Sequence, residues 1–250
     1  ARLCTALQLS VPAPRPQQSA KRHDFYHHIV LPPNYVPRPA LLDEVRARLL
    51  TAADGEPLAL TSAIKMDALH GMGGIGKSVV ARALCEDPTV QAAFPDGILW
   101  ATLGQQPDLV THLREWVVEA LGGTVSETVS TVNTLRNRLA QLLAERRCLL
   151  ILDDIWRTAD VAAFQVRAPH CRLLLTTRDA VVAEELGARL QPIPVMTQPE
   201  AIDLLREWGA PQLQPLDTAR LTPLVERLGR LPLAIKLAGA QLRRQTPAEW

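Results

Sequence analysis

Lysine is scarce in this chain of 250 residues: only Lys21, Lys65, Lys77 and Lys236 occur among 27 basic side chains. The basic groups are balanced by 26 acidic ones, for a formal net charge of +1. No stretch is basic enough to track nucleic acid, and near neutrality leaves little field to steer the protein onto DNA or a membrane. Long apolar runs are also missing. None approaches the ~20 residues that span a bilayer, and the N-terminus lacks the charged-then-apolar layout of a secretion signal. The four cysteines, Cys4, Cys85, Cys148 and Cys171, show no metal-ligand spacing, and three lie in apolar or helical runs where a thiol packs as a small hydrophobe. These absences lead to the expectation of a soluble, cytoplasmic protein in a reducing compartment. The chain opens on Ala1 rather than Met, so further domains are expected outside it.

What the chain does have is a phosphate loop. Gly71 to Ser78, in the run His70-Gly71-Met72-Gly73-Gly74-Ile75-Gly76-Lys77-Ser78, fills every fixed position of G-x-x-x-x-G-K-[ST]. Its glycines let backbone N–H groups face a polyphosphate at the positive end of the following helix. Lys77 is expected to bridge the β- and γ-phosphates, and the Ser78 hydroxyl to be a ligand to Mg²⁺, a hard cation that prefers oxygen. Ile64 to Leu69 reads as the strand before the loop and Val79 to Leu84 as the helix after it.

Around this motif the chain divides into three stretches. Residues 1–35 carry Pro12, Pro14, Pro16, Pro32 and Pro33 and read as a linker or extended arm, in which His23, His27 and His28 are expected to be solvated rather than metal-bound. Residues 36–196 alternate helix and strand patterns. Pro39–Leu50 places Leu41, Leu42, Val45, Leu49 and Leu50 along one helical face. Gly97–Leu103 is a predicted strand, Leu109–Leu121 and Thr131–Arg146 predicted helices, Cys148–Asp153 and Arg172–Thr177 predicted strands, and Ala180–Leu186 a short helix stopped by Gly187. That alternation predicts an α/β fold with a central parallel sheet covered by helices on both faces. Residues 197–250 hold three helical patterns, near Glu200–Trp208, Thr218–Leu228 and Leu233–Arg243, and are expected to form a small helical subdomain.

Two strand ends carry further chemistry. Leu149-Leu150-Ile151-Leu152-Asp153-Asp154 delivers two carboxylates to the carboxyl edge of the sheet, where ligands of open α/β sheets bind. Asp153 is expected to order Mg²⁺ and Asp154 to polarise an attacking water. Leu173-Leu174-Leu175-Thr176-Thr177-Arg178-Asp179 repeats the design, with Arg178 placed either to pair with a γ-phosphate or simply with Asp179. Trp100, Trp116, Trp156 and Trp208 sit in apolar patterns and read as packing, and Cys85 as structural.

Taken together, His70–Ser78, LLILDDIW at 149–156, LLLTTRD at 173–179 and RLPLA at 230–234 closely resemble the NB-ARC family of signalling ATPases, which includes apoptotic protease-activating factors and plant disease-resistance proteins. The resemblance runs from about Val36 to about Leu242. It implies a P-loop NTPase acting as a regulatory switch: ADP holds a closed form, exchange for ATP permits opening and homo-oligomeric assembly, and hydrolysis is slow. By position, it puts Val36 and Arg38 against the adenine and its ribose, and Pro232 over the purine. Gly73, Gly74, Ile75, Gly76, Lys77, Ser78 and Val79 would hold the phosphates, Ser78 and Asp153 would serve Mg²⁺, and Arg178 would read the γ-phosphate. Effector and sensor domains, and a winged-helix domain whose histidine contacts the β-phosphate in the family, are expected outside this chain.

Two positions depart from the family pattern. Pro37 and Arg230 each stand where glycine is usual, which alters the adenine-side backbone and the turn before Leu231. Two other functions stay open on the sequence. One is a catalytic P-loop kinase or fast ATPase, although Pro88–Asp108 offers no arginine-rich lid. The other is a nucleotide-gated transcriptional regulator whose DNA reader lies elsewhere.

Overall fold

The computed structural model describes residues 29–51, 64–125, 131–209, 211–214 and 216–243. His23, His27, His28 and Cys4, with most of the proline-rich arm, lie outside them. The last residues of that arm are described and anchored: Ile29 is buried in the core, and the Tyr35 N–H donates to Pro32 O in a tight turn.

Five strands, β1 (Lys65–His70), β2 (Ile98–Gly104), β3 (Leu149–Ile155), β4 (Arg172–Thr177) and β5 (Arg189–Pro192), form one parallel sheet in the order β2-β3-β4-β1-β5. Alternation along the strands decides which layer each side chain feeds. Leu150 and Leu152 of β3 and Leu173 and Leu175 of β4 enter one cluster, whereas Leu149, Ile151 and Leu174 enter the other. Near-continuous aliphatic runs are what a sheet buried on both faces requires.

Helices α1 (Pro39–Leu50), α2 (Lys77–Glu86) and α3 (Pro88–Ala93) cover one face through Leu41, Val45, Leu49, Val80, Leu84 and Val90. The predicted stripe of α1 narrows to Leu41, Val45 and Leu49, while Leu42 and Leu50 are half-buried at its margin. On the other face lie α4 (Leu109–Arg114), a π-helical turn (Glu115–Ala120), α5 (Val132–Leu143), α6 (Thr158–Ala162) and α7 (Ala180–Glu185). The helix expected over Leu109–Leu121 thus changes pitch at Glu115, where the wider turn seats Trp116 edge-on against Phe164 with centroids 4.8 Å apart. Thr131 caps α5 by accepting from the Thr134 N–H.

A third cluster gathers α8 (Gln198–Trp208), α9 (Thr218–Arg227) and α10 (Pro232–Leu242) around Ile202, Leu205, Leu221, Val225 and Ile235. Thr197 and Glu200 close a reciprocal capping box at the start of α8. Arg230 makes the turn before α10 although it is not glycine, in the left-handed region at φ 52 beside Gly229 at φ 62. Four short elements among the described residues have no counterpart among the predicted ones: α3, α6, the edge strand β5 and a 3-10 turn at Pro211–Leu213. The sequence RLQP of β5 is four residues long, polar and ends in proline, and Gln191 at its centre is buried by Arg48 and Glu44 of α1 rather than by aliphatic neighbours.

Candidate functional site

The strand order reverses about β1, so the loops after β1 and β4 splay to opposite faces and leave a crevice at the carboxyl edge. The phosphate loop leaves β1 there. Its backbone relies on glycine at Gly74, φ 79, and Gly76, φ 99, and Gly76 is the N-cap of α2 with no side chain capping the helix. The first N–H groups of α2 are therefore open to an anion, at the positive end of the helix dipole.

Lys77 opens α2 and is buried. Its ammonium donates to the carbonyls of Gly71 at 2.7 Å and Met72 at 3.1 Å, folding the side chain back over its own loop. Burial, and then the nearby Arg178 guanidinium, hold the ammonium below the usual lysine range, while Asp154 and Asp153 pull the other way. One residue on, the Ser78 hydroxyl donates to Asp153 Oδ1 at 2.6 Å, and the Thr176 hydroxyl donates to the same oxygen at 2.6 Å. β4 lies between β1 and β3, so Thr176 is the side chain that ties the acid on β3 to the sheet centre.

The end of β3 is irregular. Its register against β4 shifts between Leu152 and Ile155, and Asp154 takes φ 55, its N–H donating to Thr176 Oγ1 at 2.9 Å. The bulge parts the two acids. Asp153 turns to Ser78, and Asp154 turns to Arg178, whose Nε lies 3.6 Å from Asp154 Oδ1. Asp179 instead caps α7 by accepting from the Val181 N–H, so the pairing of Arg178 with Asp179 weighed from the sequence does not occur. Arg178 also crosses the phosphate loop, with Nη1 3.2 Å from where a Cβ on Gly73 would stand.

These groups line one cavity of about 560 Å³. Every residue singled out from the sequence lines it: Val36, Arg38, Gly73 to Val79, Asp153, Asp154, Arg178 and Pro232. Five basic residues, Arg38, Lys77, Arg82, Arg178 and Lys236, face two acidic ones there, a local positive excess in a chain that is nearly neutral overall. The profile of the NB-ARC domain matches residues 48–212. The chain belongs to the NB-ARC family. Among relatives, the apoptotic protease-activating factor 1 of Danio rerio is 30% identical over 228 residues, covering 86% of this chain and 17% of the relative. The regulatory protein AfsR of Streptomyces griseus is 31% identical over 219 residues, with 84% of this chain and 21% of the relative covered. A probable disease resistance RPP8-like protein 2 of Arabidopsis thaliana is 29% identical over 211 residues, covering 77% and 22%. The chain thus spans about a fifth of the length of these curated relatives.

Among solved structures, one of Drosophila ORC bound to DNA aligns with a TM-score of 0.51 at 14% identity, over 100% of this chain and 67% of that one, a likeness of fold alone. A STAND protein with a tetratricopeptide repeat sensor from Pyrococcus horikoshii aligns with a TM-score of 0.49 at 18% identity, over 82% and 30%.

Within the NB-ARC site, Arg38 does more than line the wall. Its Nη2 donates to Pro194 O and Val195 O, both at 3.0 Å, and its Nε to Glu200 at 3.3 Å, so the buried guanidinium fastens the residues before α1 to the capping box of α8. Only Nη1 is left over, buried without a partner. Pro232 sits at the first turn of α10, and the next residue touches the phosphate loop directly: the Leu233 N–H donates to Gly74 O at 3.2 Å. Leu233, with Tyr35, Arg82, Thr102, Thr176, Trp208 and Lys236, is among the lining residues that sequence reasoning missed. Thr176 stood next to Thr177 in the same motif as Arg178 and was legible as a strand-end hydroxyl. The others come from remote elements with no local signature. Trp156, expected to serve as packing, stands 38% exposed just after β3.

The residues fit a nucleotide with Mg²⁺. An uncapped helix start and a positive excess suit phosphates, and the hydroxyl and carboxylate of Ser78 and Asp153 are hard oxygen donors 2.6 Å apart. Among the described residues no group of three or more His, Cys, Asp or Glu is placed to hold a metal. No described helix is long and apolar enough to cross a membrane.

Proposed function

We propose that this NB-ARC chain is the adenine-nucleotide switch of a cytoplasmic signalling ATPase. In this reading, residues 36–196 form the nucleotide-binding domain and residues 197–250 a helical subdomain that senses it. The observation that carries the reading is the bond from Leu233 N–H to Gly74 O, at the point where α10 meets the phosphate loop. Whatever the loop binds is thereby in reach of the helical elements.

Val36, Arg38 and Pro232 would enclose the adenine and ribose. The amides of Gly73 to Val79 would take the phosphates, and Lys77 would leave its two carbonyls for the β- and γ-oxygens. Mg²⁺, held by Ser78 and Asp153, would supply neutralisation of charge on the phosphates. Arg178 would pair with the third phosphate and so tell ATP from ADP. Asp154 would orient an attacking water, but its carboxylate already faces Arg178, which favours slow hydrolysis over rapid turnover. Assembly into homo-oligomers, with effector and sensor domains attached, completes the proposed role.

The test is calorimetry with ADP and ATP. Lys77→Ala is expected to abolish binding of both, whereas Arg178→Ala is expected to keep ADP binding and lose the preference that ATP gains from its third phosphate. Unchanged ATP affinity in Lys77→Ala would overturn the reading.

A further inference from the structure

Three of the five cavity cations share an arrangement that phosphate binding alone does not call for. Each rests on the face of an indole: Arg82 5.7 Å from the Trp100 centroid, Arg178 5.1 Å from Trp156 and Lys236 4.4 Å from Trp208. The other two are held otherwise, Lys77 by backbone carbonyls and Arg38 by backbone carbonyls and the Glu200 carboxylate. Four tryptophans lie among the described residues and three serve this way, while the fourth, Trp116, donates to Trp100 O at 3.2 Å and so steadies one of them.

The Arg178 pair is the most telling. Arg178 has a side chain 53% exposed, and such an arginine carries rotamer entropy that binding must remove. A carboxylate could pin it, but only by competing with a phosphate for the same N–H groups. An indole pins it differently. It takes the flat face of the guanidinium and leaves the charge and the N–H rim available. Asp154 sits by Nε at 3.6 Å, too far for a hydrogen bond, and Nη1 is turned toward the phosphate loop at Gly73. Trp156 itself is 38% exposed, so its ring is not spent on the core.

We propose that Trp156 is a positioning residue that holds the Arg178 guanidinium over its ring, with Nη1 toward the phosphate loop, ready for the third phosphate of a nucleoside triphosphate. The proposal rests on the reading that Arg178 detects that phosphate. It assigns a task to a tryptophan that the sequence marked as packing. An exposed contact of this kind is worth about 0.5–1 kcal/mol, so its loss is expected to cost roughly two- to five-fold in the advantage of triphosphate over diphosphate.

The experiment measures, by calorimetry on the purified chain with Mg²⁺, the ratio of dissociation constants for ADP and β,γ-imido-ATP. Wild type, Trp156→Leu, Trp156→Phe, Arg178→Ala and the double variant Trp156→Leu/Arg178→Ala are compared. Expected are a ratio lowered two- to five-fold in Trp156→Leu, an intermediate ratio in Trp156→Phe, and a double variant indistinguishable from Arg178→Ala alone. A wild-type ratio in Trp156→Leu, beside a collapsed ratio in Arg178→Ala, overturns the role of Trp156 and leaves the γ-phosphate reading standing. A wild-type ratio in Arg178→Ala overturns that reading and this proposal with it. A further drop in the double variant shows Trp156 acting apart from Arg178 and overturns the proposal. Should Trp156→Leu not fold, Trp156→Phe is read on the same scale, since a phenyl face binds cations more weakly than an indole, and a wild-type ratio there overturns the proposal.

Discussion

At the scale of single residues, two non-glycine positions among the described residues hold left-handed backbone, Asp154 at φ 55 and Arg230 at φ 52. Aspartate tolerates that region through local hydrogen bonding, and at Asp154 the conformation separates the two acids of the site. Arginine has no such relief. Arg230 is kept in place by its N–H to Val225 O at 3.0 Å, by Met196 N–H to its own carbonyl at 3.1 Å, and by a surface pair with Glu226 at 3.6 Å. Arg230→Gly is expected to raise stability by about 0.5–1 kcal/mol, the relief of strain less the added chain entropy, measured by urea denaturation. Lys77 sets a pH dependence. Its folded value lies below the ordinary lysine value, so the cost of burying the charge is present at neutral pH and is relieved as pH rises through that depressed value. Phosphates reverse the preference by stabilising the ammonium. Nucleotide affinity is therefore expected to fall as pH climbs through the alkaline range, with protons taken up on binding there. Titrations in buffers of different ionisation enthalpy measure that uptake, and none at alkaline pH would refute the linkage.

At the scale of elements, α10 and the phosphate loop are in close contact. A Cβ on Gly74 would stand 2.6 Å from Leu233 Cβ, whereas one on Gly187, at φ 67, would meet nothing. Both glycines pay similar strain on substitution, so Gly187→Ala is the control for Gly74→Ala. The control is expected to cost about 1 kcal/mol, and Gly74→Ala to cost more and to speed amide hydrogen exchange at Leu233 by breaking its bond to Gly74 O. Equal exchange at Leu233 in both variants would refute the coupling.

This scale also decides what could be read from the chain alone. The phosphate loop, the acids of β3 and Arg178 were legible as positions on one cavity because residue type and fixed spacing at the ends of aliphatic runs bring them to the same sheet edge. β1, β2, β3 and β4 were legible for the same reason. β5 was not, since Gln191 owes its burial to Arg48 and Glu44, far away in sequence. Nor were Leu233 and Trp156, which look like ordinary apolar positions until the fold brings Gly74 and Arg178 against them. Spacing reports neighbours along a strand or helix, and these partners are neither.

At the scale of the whole molecule, the cavity concentrates positive charge that the rest of the chain cancels. Like charges held together without an anion are a standing cost, so the protein is expected to be markedly more stable when that anion arrives. Nucleotide at a hundred times its dissociation constant contributes about 2.7 kcal/mol. For a chain of this size that corresponds to a rise in Tm of roughly 5–10 °C. Thermal melts with ADP or inorganic sulfate check it, and Lys77→Ala is expected to abolish the rise with ADP.

The slipped register at the end of β3 has a corollary for how this chain tolerates change. Because the two adjacent aspartates answer to different loops, neither can stand in for the other: a residue lost between Leu152 and Ile155 removes one acid outright, and a residue gained after Leu152 carries Asp153 into the place of Asp154 and away from Ser78. Length at that point is therefore expected to matter as much as identity, since a slip of one residue would leave the Ser78 hydroxyl without its carboxylate.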